Sequence, residues 1–149
     1  MKLITKNKKA YFDYEIIDYF EAWIKLKWHE VKSIRYWNVN LKWNYVIEQN
    51  NELYIKDMHI SPWKTLLKKD SLNSKIERKV FIHKKDIIKL SSKIKEKWYS
   101  LIWLELYFKW SLIKLKLGLV KWKKSFQKKQ ILKERTLDKE ANKLMKKYY

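Results

Sequence analysis

Basic and aromatic side chains are interleaved over residues 25–37, where Lys25, Lys27, Lys32 and Arg35 stand among Trp28, Tyr36 and Trp37. Cations meet phosphate and flat rings stack on unpaired bases, so this mixture suits an RNA surface. Aromatic residues in strands also commonly fill a core, and composition alone leaves both readings open. Signals for other chemistry are missing. His29, His59 and His83 are far apart, with no HExxH and no Cys/His spacing for a metal. His83 adjoins Lys84 and Lys85, which suits a phosphate contact or plain exposure. There is no GxSxG, Gly-rich phosphate loop or P-loop. Asp13 with Glu15, and Glu134 with Asp138, read as the charge partners a basic protein needs. No catalytic residue, metal site or cofactor is expected.

The charge balance explains why cations dominate. Thirty-six Lys+Arg against 16 Asp+Glu give a net charge of +20 over 149 residues. A field of that size recruits polyanions, nucleic acid first and an anionic membrane surface second. With 46% hydrophobic residues the chain can bury a core, which argues against wholesale disorder. No cysteine means no disulfide framework or thiolate metal site. MKLITKNKKA has no apolar core of signal-peptide length, and apolar runs are too short to span a bilayer. A cytoplasmic protein with no membrane partner is the expectation. Arginine occurs only at 35, 78 and 135, and Ile and Asn are plentiful, the bias of A/T-rich codons.

The elements that must position these residues read as mainly β. Residues 14–26 alternate, with Ile16, Phe20, Ala22, Ile24 and Leu26 on one face and Asp18 the exception. Residues 29–35 suit a short helix with Val31 and Ile34 inward. Residues 44–60 divide into two strands around Gln49, Asn50 and Asn51, and Pro62 ends them. Residues 64–78 read as a surface loop, and 84–97 as a helix with Ile87, Leu90 and Ile94 on one stripe. Two alternating runs follow, with Ile102, Leu104, Leu106 and Phe108 inward in the first and Ile113, Leu115, Leu117 and Leu119 in the second. A turn around Lys109–Ser111 joins them. In this register Leu101, Glu105 and Lys114 face outward. After Val120 the chain is rich in Lys, with a thin apolar stripe of Leu137, Ala141, Leu144 and Met145 that makes a marginal helix at best. About six strands with two or three helices suggest a small OB-like closed antiparallel barrel over 1–122, followed by a basic tail over 123–149.

Residues 7–35, NKKAYFDYEIIDYFEAWIKLKWHEVKSIR, resemble the opening of the small protein B family, the tmRNA-binding proteins of bacterial trans-translation. That family reads approximately N-[KR]-[KR]-A, a Tyr-containing strand, then E-A-G-I-x-L-x-G-x-E-V-K-S-[LI]-R. The likeness continues through ELYIKDMHISP, RKVFIHKKDI, LELYFK and LGLVKWKK, covering about 7–124 in order. It implies an OB-like barrel, acting as a monomer, that binds the tRNA-like domain of tmRNA. The complex enters stalled ribosomes alongside the elongation factor that carries aminoacyl-tRNA, and the tail occupies the empty mRNA channel. Carried over by position, the RNA face includes Asn7, Lys8, Lys9, Glu30, Lys32, Ser33, Arg35, Arg78 and Lys79, with Lys121, Lys123 and Lys124 opening the tail. Lys128, Lys129, Lys133, Arg135, Leu137, Lys143, Leu144 and Met145 would line the channel. Glu30 would accept a hydrogen bond from RNA or orient a lysine; its plainer role is a charge partner for Lys27 or Lys32.

The chain departs from the family in three places. The Asp-Pro-x-Arg-x-Arg-Lys segment appears as Asn73 to Lys79, without the proline and with one fewer basic residue. Asp-Lys-Arg appears as Gln127-Lys128-Lys129. Trp122 stands for a glycine at the barrel-to-tail junction. A general RNA-binding or ribosome-associated protein is the second reading, and a peripheral membrane protein the third, disfavoured because no segment pairs a broad apolar face with a basic one.

One glycine and nine tryptophans are an odd ratio. Trp23, Trp28, Trp37, Trp43, Trp98 and Trp122 fall where the family usually has Gly; Trp63, Trp103 and Trp110 align less clearly. Average usage near 7% predicts about ten glycines in a chain of this length. The hypothesis that follows is UGA codons, which some bacteria read as glycine and others as tryptophan. Genuine tryptophan, by substitution or redesign, is the competing reading.

Overall fold

A computed structural model of the chain describes residues 1–41, 44–63 and 76–148. Trp43 and most of the expected loop at 64–78 lie outside them. The described residues form nine strands and four helices, a mainly β fold. Seven strands make one antiparallel sheet in the order β1 (Lys2–Lys6), β8 (Tyr99–Lys109), β9 (Leu112–Trp122), β2 (Tyr14–Ile24), β7 (Arg78–Phe81), β5 (Glu52–Lys56), β4 (Tyr45–Gln49). β3 (Val39–Asn40) pairs with β6 (His59–Ile60) in a separate ribbon. The helices are α1 (Lys8–Asp13), α2 (Trp28–Arg35), α3 (Lys84–Ile94) and α4 (Ser125–Tyr148). None of the described helices is long and apolar enough to cross a membrane.

The centre of the sheet follows the apolar alternation. Phe20, Ala22 and Ile24 of β2, and Ile113, Leu115, Leu117 and Leu119 of β9, join one core with Ile34 of α2 and Leu90 of α3. Burying each of the larger of these side chains, the Phe, Ile and Leu residues, contributes roughly 1.5–3 kcal/mol. The Asp18 exception has a cause: pairing with β9 shifts between Ile16 and Asp18, and the extra residue resets the faces. The 44–60 hairpin turns through Asn50 and Asn51, both at positive φ, the pair that a type I′ turn requires.

The register expected for β8 holds only past its middle. A bulge between Trp103 and Glu105 leaves Leu104 without a counterpart on β9. Before it, Leu101 and Trp103 face the core; after it, Leu106 does. Leu104 is buried on the opposite face, where its Cδ1 would lie 2.6 Å from a Cβ added at Gly118. The one glycine is therefore kept by close approach, with no positive φ. Lys114, expected outside, is buried on that same outer face by an ion pair with Glu21, to which the Tyr107 hydroxyl also donates (2.7 Å). The hydrogen bond from Lys114 is the main cause holding the Glu21 carboxyl down to about 2. β1, β3 and β7 lie outside the expected strands, and the strand expected after Asn51 as far as residue 60 is divided into β5 and β6. Each has five residues or fewer, too short for alternation to stand out.

Candidate nucleic-acid interface

α2 carries two of the interleaved cations, Lys32 and Arg35, and its geometry positions them. Ile34 and Ser33 are fully buried, and Val31 packs against the core. The other side presents Trp28, Lys32 and Arg35, at i, i+4 and i+7, with Tyr36 beside them, all exposed. Lys32 Nζ lies 5.1 Å from the Trp28 ring centroid. One stripe thus offers two cations and a flat ring to a ligand, the pairing of phosphate contact with stacking.

Behind that stripe is a buried clamp. Arg78 donates from Nε (2.9 Å) and Nη2 (2.6 Å) to Glu30 Oε1, and the two residues are 3% and 4% exposed. Arg78 Nη1 donates to the carbonyls of Met58 (2.6 Å) and Ile76 (3.1 Å), while the Lys27 backbone N–H donates to Glu30 Oε2 (2.8 Å). The first turn of α2 is therefore tied to β7 and to the chain entering β6. Only a forked guanidinium reaches carboxylate and carbonyls together, which explains an arginine here in a chain whose basic residues are mostly lysine. Glu30, Ser33 and Arg78, expected on the RNA face by position, are buried beneath the exposed stripe of Trp28, Lys32 and Arg35. Glu30 pairs with Arg78 and a backbone N–H, and with neither Lys27 nor Lys32 through a side chain.

Asn7 is also occupied by the fold. Its Oδ1 accepts from the Ala10 N–H (3.0 Å) and its Nδ2 donates to the Trp103 carbonyl (3.1 Å), capping α1 onto the bulge of β8. Lys8 and Lys9 are exposed on the first turn that this cap fixes. Lys79 pairs with Glu52, whose carboxyl is held below its usual range by Lys79 first and by the Tyr54 hydroxyl second. Lys121 and Lys124 are exposed, whereas Lys123 donates from Nζ to the Tyr11 carbonyl (3.0 Å).

The tail residues all fall on α4. Lys128 pairs with Asp13 (3.2 Å) and lies 4.2 Å from the Trp122 ring centroid, and Arg135 lies 5.3 Å from that of Phe12. Lys129, Lys133, Leu137, Ala141, Lys143, Leu144 and Met145 are exposed. No group of His, Asp and Glu suited to a metal ion occurs among the described residues.

Two tryptophans have backbone conformations that favour glycine, Trp37 at φ 63° and Trp110 at φ 56°. Trp37 follows the cap of α2: its N–H bonds to the Ile34 carbonyl (2.9 Å), and the Asn38 N–H to that of Ser33 (3.0 Å). This is a Schellman end with Trp where Gly normally sits. Trp110 is the first residue of the two-residue turn joining β8 and β9. Sequence position had already singled out Trp37; the backbone adds Trp110. Trp103, 4% exposed, is an ordinary core residue. Trp28, Trp98 and Trp122 are exposed, an unusual place for so much apolar surface.

The sequence profile of the SmpB protein family matches residues 4–147. The chain is similar to the SsrA-binding protein of Carboxydothermus hydrogenoformans, 40% identical over 148 residues and 99% of each chain. It is likewise similar to that of Nitratiruptor sp., 41% identical over 149 residues and 99% of each. The SsrA-binding protein of Malacoplasma penetrans is 38% identical over 145 residues, 96% of this chain and 97% of that one. Among solved structures, a chain described as "tmRNA-SmpB: a journey to the center of the bacterial ribosome" superposes with TM-score 0.65 at 32% identity, covering 81% of this chain and 85% of that one.

Proposed function

The chain belongs to the SmpB family, and from that premise we propose that it binds the tRNA-like domain of tmRNA and delivers it to stalled ribosomes for trans-translation. It acts by binding, in the cytoplasm, as a monomer in the complex and alongside the elongation factor that carries aminoacyl-tRNA. Residues 1–122 form the RNA-binding body and 123–149 a basic tail that enters the empty mRNA channel. The body is read as an OB-like barrel; β4, at one end of the hydrogen-bonded order, lies beside β8, near the other end, as a sheet curling toward closure would require.

The observation that carries the reading is the stripe of Trp28, Lys32 and Arg35 on a helix locked by the Glu30–Arg78 pair. A fixed array of cations and a ring recognises a shaped RNA, whereas scattered surface lysines give only salt-sensitive, unselective attraction. Lys8, Lys9, Lys121 and Lys124 extend it, and Lys79 does so after giving up Glu52. Competition between the tRNA-like domain of tmRNA and bulk tRNA at about 0.15 M salt, near physiological ionic strength, tests the reading. A clear preference for the tRNA-like domain, reduced when Lys32 and Arg35 are both changed to Gln, is the expected result. Equal binding of the two RNAs would leave a general RNA-binding protein.

A further inference from the structure

Five of the described residues other than glycine have a left-handed backbone: Trp37, Asn50, Asn51, Asp57 and Trp110. Asn and Asp adopt that region readily, because their short polar side chains bond locally, whereas a tryptophan there is strained. The two tryptophans belong to different parts of the chain, one past the end of α2 and one in the turn between β8 and β9. Both nevertheless line the same open cleft, of about 530 Å³, a volume in the range that holds a small ligand. Backbone strain collects where a binding site imposes it, and here it delivers two indole rings to one place.

The rest of the lining is equally pointed. Phe108, half-buried against the core, pairs with Lys2 across β8 and β1, and both side chains line the cleft. Lys2 Nζ lies 5.5 Å from the Trp37 ring centroid. Arg35, in the last turn of α2, adds a second cation and Ser111 a hydroxyl. Among the described residues neither Lys2 nor Arg35 has a carboxylate within 4.0 Å, so both charges can meet an anion. Flat rings take the face of a base and cations take a phosphate, and a nucleotide offers both. Arg35 also belongs to the exposed stripe of α2, so one side chain joins the cleft to that stripe.

We infer that this cleft takes one unstacked nucleotide of the bound tRNA-like domain, its base on the indoles of Trp37 and Trp110 and its phosphate on Lys2 and Arg35. The inference rests on the proposed function for the identity of the RNA, and it adds a base held in a cleft to the open ring of Trp28. Lys2 faces the Trp37 ring in the free protein, and an exposed cation–ring contact is weak enough to yield to a stacked base. Ribosomal RNA offers nucleotides of the same chemistry; the shared Arg35 assigns this one to the RNA that the α2 stripe binds.

The test measures binding of a tRNA-like-domain transcript by the full-length protein and its variants. Trp110→Ala should weaken binding about five- to tenfold or more, the loss known for removing a ring from a stacked base, and leave the slope of log K against log salt unchanged because no counterion is involved. Trp110→Phe keeps a ring and should restore most of the affinity. Trp37→Gly removes strain, so it should raise thermal stability while weakening binding, a pair of effects that a merely structural residue would not give. Lys2→Gln should make the salt slope shallower by about 0.7–0.9. Trp98→Ala, which removes an exposed ring outside the cleft, should change neither affinity nor slope. Should Trp110→Ala misfold, as a thermal melt would show, Trp37→Gly carries the same comparison. Unchanged affinity in Trp110→Ala and Trp37→Gly would overturn the inference. A loss seen only with ribosomes free of mRNA would also overturn it, by giving the cleft to ribosomal RNA. Peptide mass spectrometry of the protein from its own cells should show tryptophan at 37 and 110, and glycine at either would overturn it too. The parent protein's preference for the transcript over bulk tRNA is a separate measurement, so the proposed function can stand while this inference fails.

Discussion

α2 and α4 both present positive charge to solvent, yet they are built in opposite ways. α2 has eight residues, too few to be helical alone, and is held by buried Ile34, the Glu30–Arg78 pair and a Schellman end. α4 has 24 residues and extends about 36 Å. It meets the body through Lys128 and Arg135, and residues 136–147 are exposed. A short helix fixed by the core holds a few cations in place for a shaped site. A long helix held only at its root supplies reach and charge density. On the proposed function, the difference separates recognition from delivery within one small chain.

Removing 125–149 is the sharpest way to break this contrast. α4 meets the body only near its root, through the half-buried Lys128–Asp13 pair and Arg135 beside Phe12, so the truncated body should fold and bind the tRNA-like domain almost as before. Peptide tagging on stalled ribosomes should be abolished. Changing Leu144 and Met145 to Asp should have nearly the same effect, through opposed charge and lost packing. A truncated protein that still supports tagging would reduce the tail to a solvated arm. Circular dichroism of the isolated tail should show mostly unfolded or fractional helix, since little apolar surface is available to support it.

The clamp gives the next largest effect. Changing Arg78 or Glu30 to Ala leaves a buried charge unpaired and should cost about 3–5 kcal/mol of stability. Denaturant titration measures that loss, and RNA binding by the surviving folded fraction should weaken because α2 loses its anchor. A loss below 1 kcal/mol would show that the pair does not fix the helix. The position of Glu30 was legible in the sequence; its role was not. A carboxylate beside Lys27 and Lys32 reads as their surface partner, and only the long-range packing of β7 brings Arg78 across 48 positions to claim it.

Other parts of the molecule divide in the same way. The β2 and β9 core was readable because apolar alternation is local, and the Asn50-Asn51 turn because its residues tolerate positive φ. The bulge at Leu104 was not, since nothing in the alternation of LIWLELYF says where one extra residue is inserted. β7 begins with Arg78, the last residue of the expected loop, and Lys79, whose charges do not suggest a strand until their partners Glu30 and Glu52 are in view.

Trp37 sharpens the account of α2 at a smaller scale. A tryptophan at φ 63° carries the strain that a Cβ brings to the left-handed region, roughly 1–2 kcal/mol. Trp37→Gly should therefore stabilise the protein by about 1 kcal/mol after the entropy of glycine is counted, and Trp110→Gly should act alike at the β8–β9 turn. Trp103→Gly should instead cost several kcal/mol, in the range known for emptying a large aromatic site. The gene sequence decides the origin of the odd composition: UGG codons at 23, 28, 37, 43, 98 and 122 would refute the recoding hypothesis.

The smallest effect distinguishes a cation in a fixed array from one that only adds to the field. Arg35 is exposed on the α2 stripe, one residue past buried Ile34, so Arg35→Ala should leave stability unchanged within about 0.5 kcal/mol. If it meets a phosphate, the slope of log K against log salt for the tRNA-like domain should become shallower by about 0.7–0.9. Glu30→Ala should lower affinity without that flattening, because Glu30 releases no counterion. Lys143→Ala, out on α4, should leave the slope for this RNA unchanged if the tail serves the ribosome as proposed. Equal flattening by Arg35→Ala and Lys143→Ala would mean that both helices act through net charge alone, and the distinction between recognition and delivery would not hold.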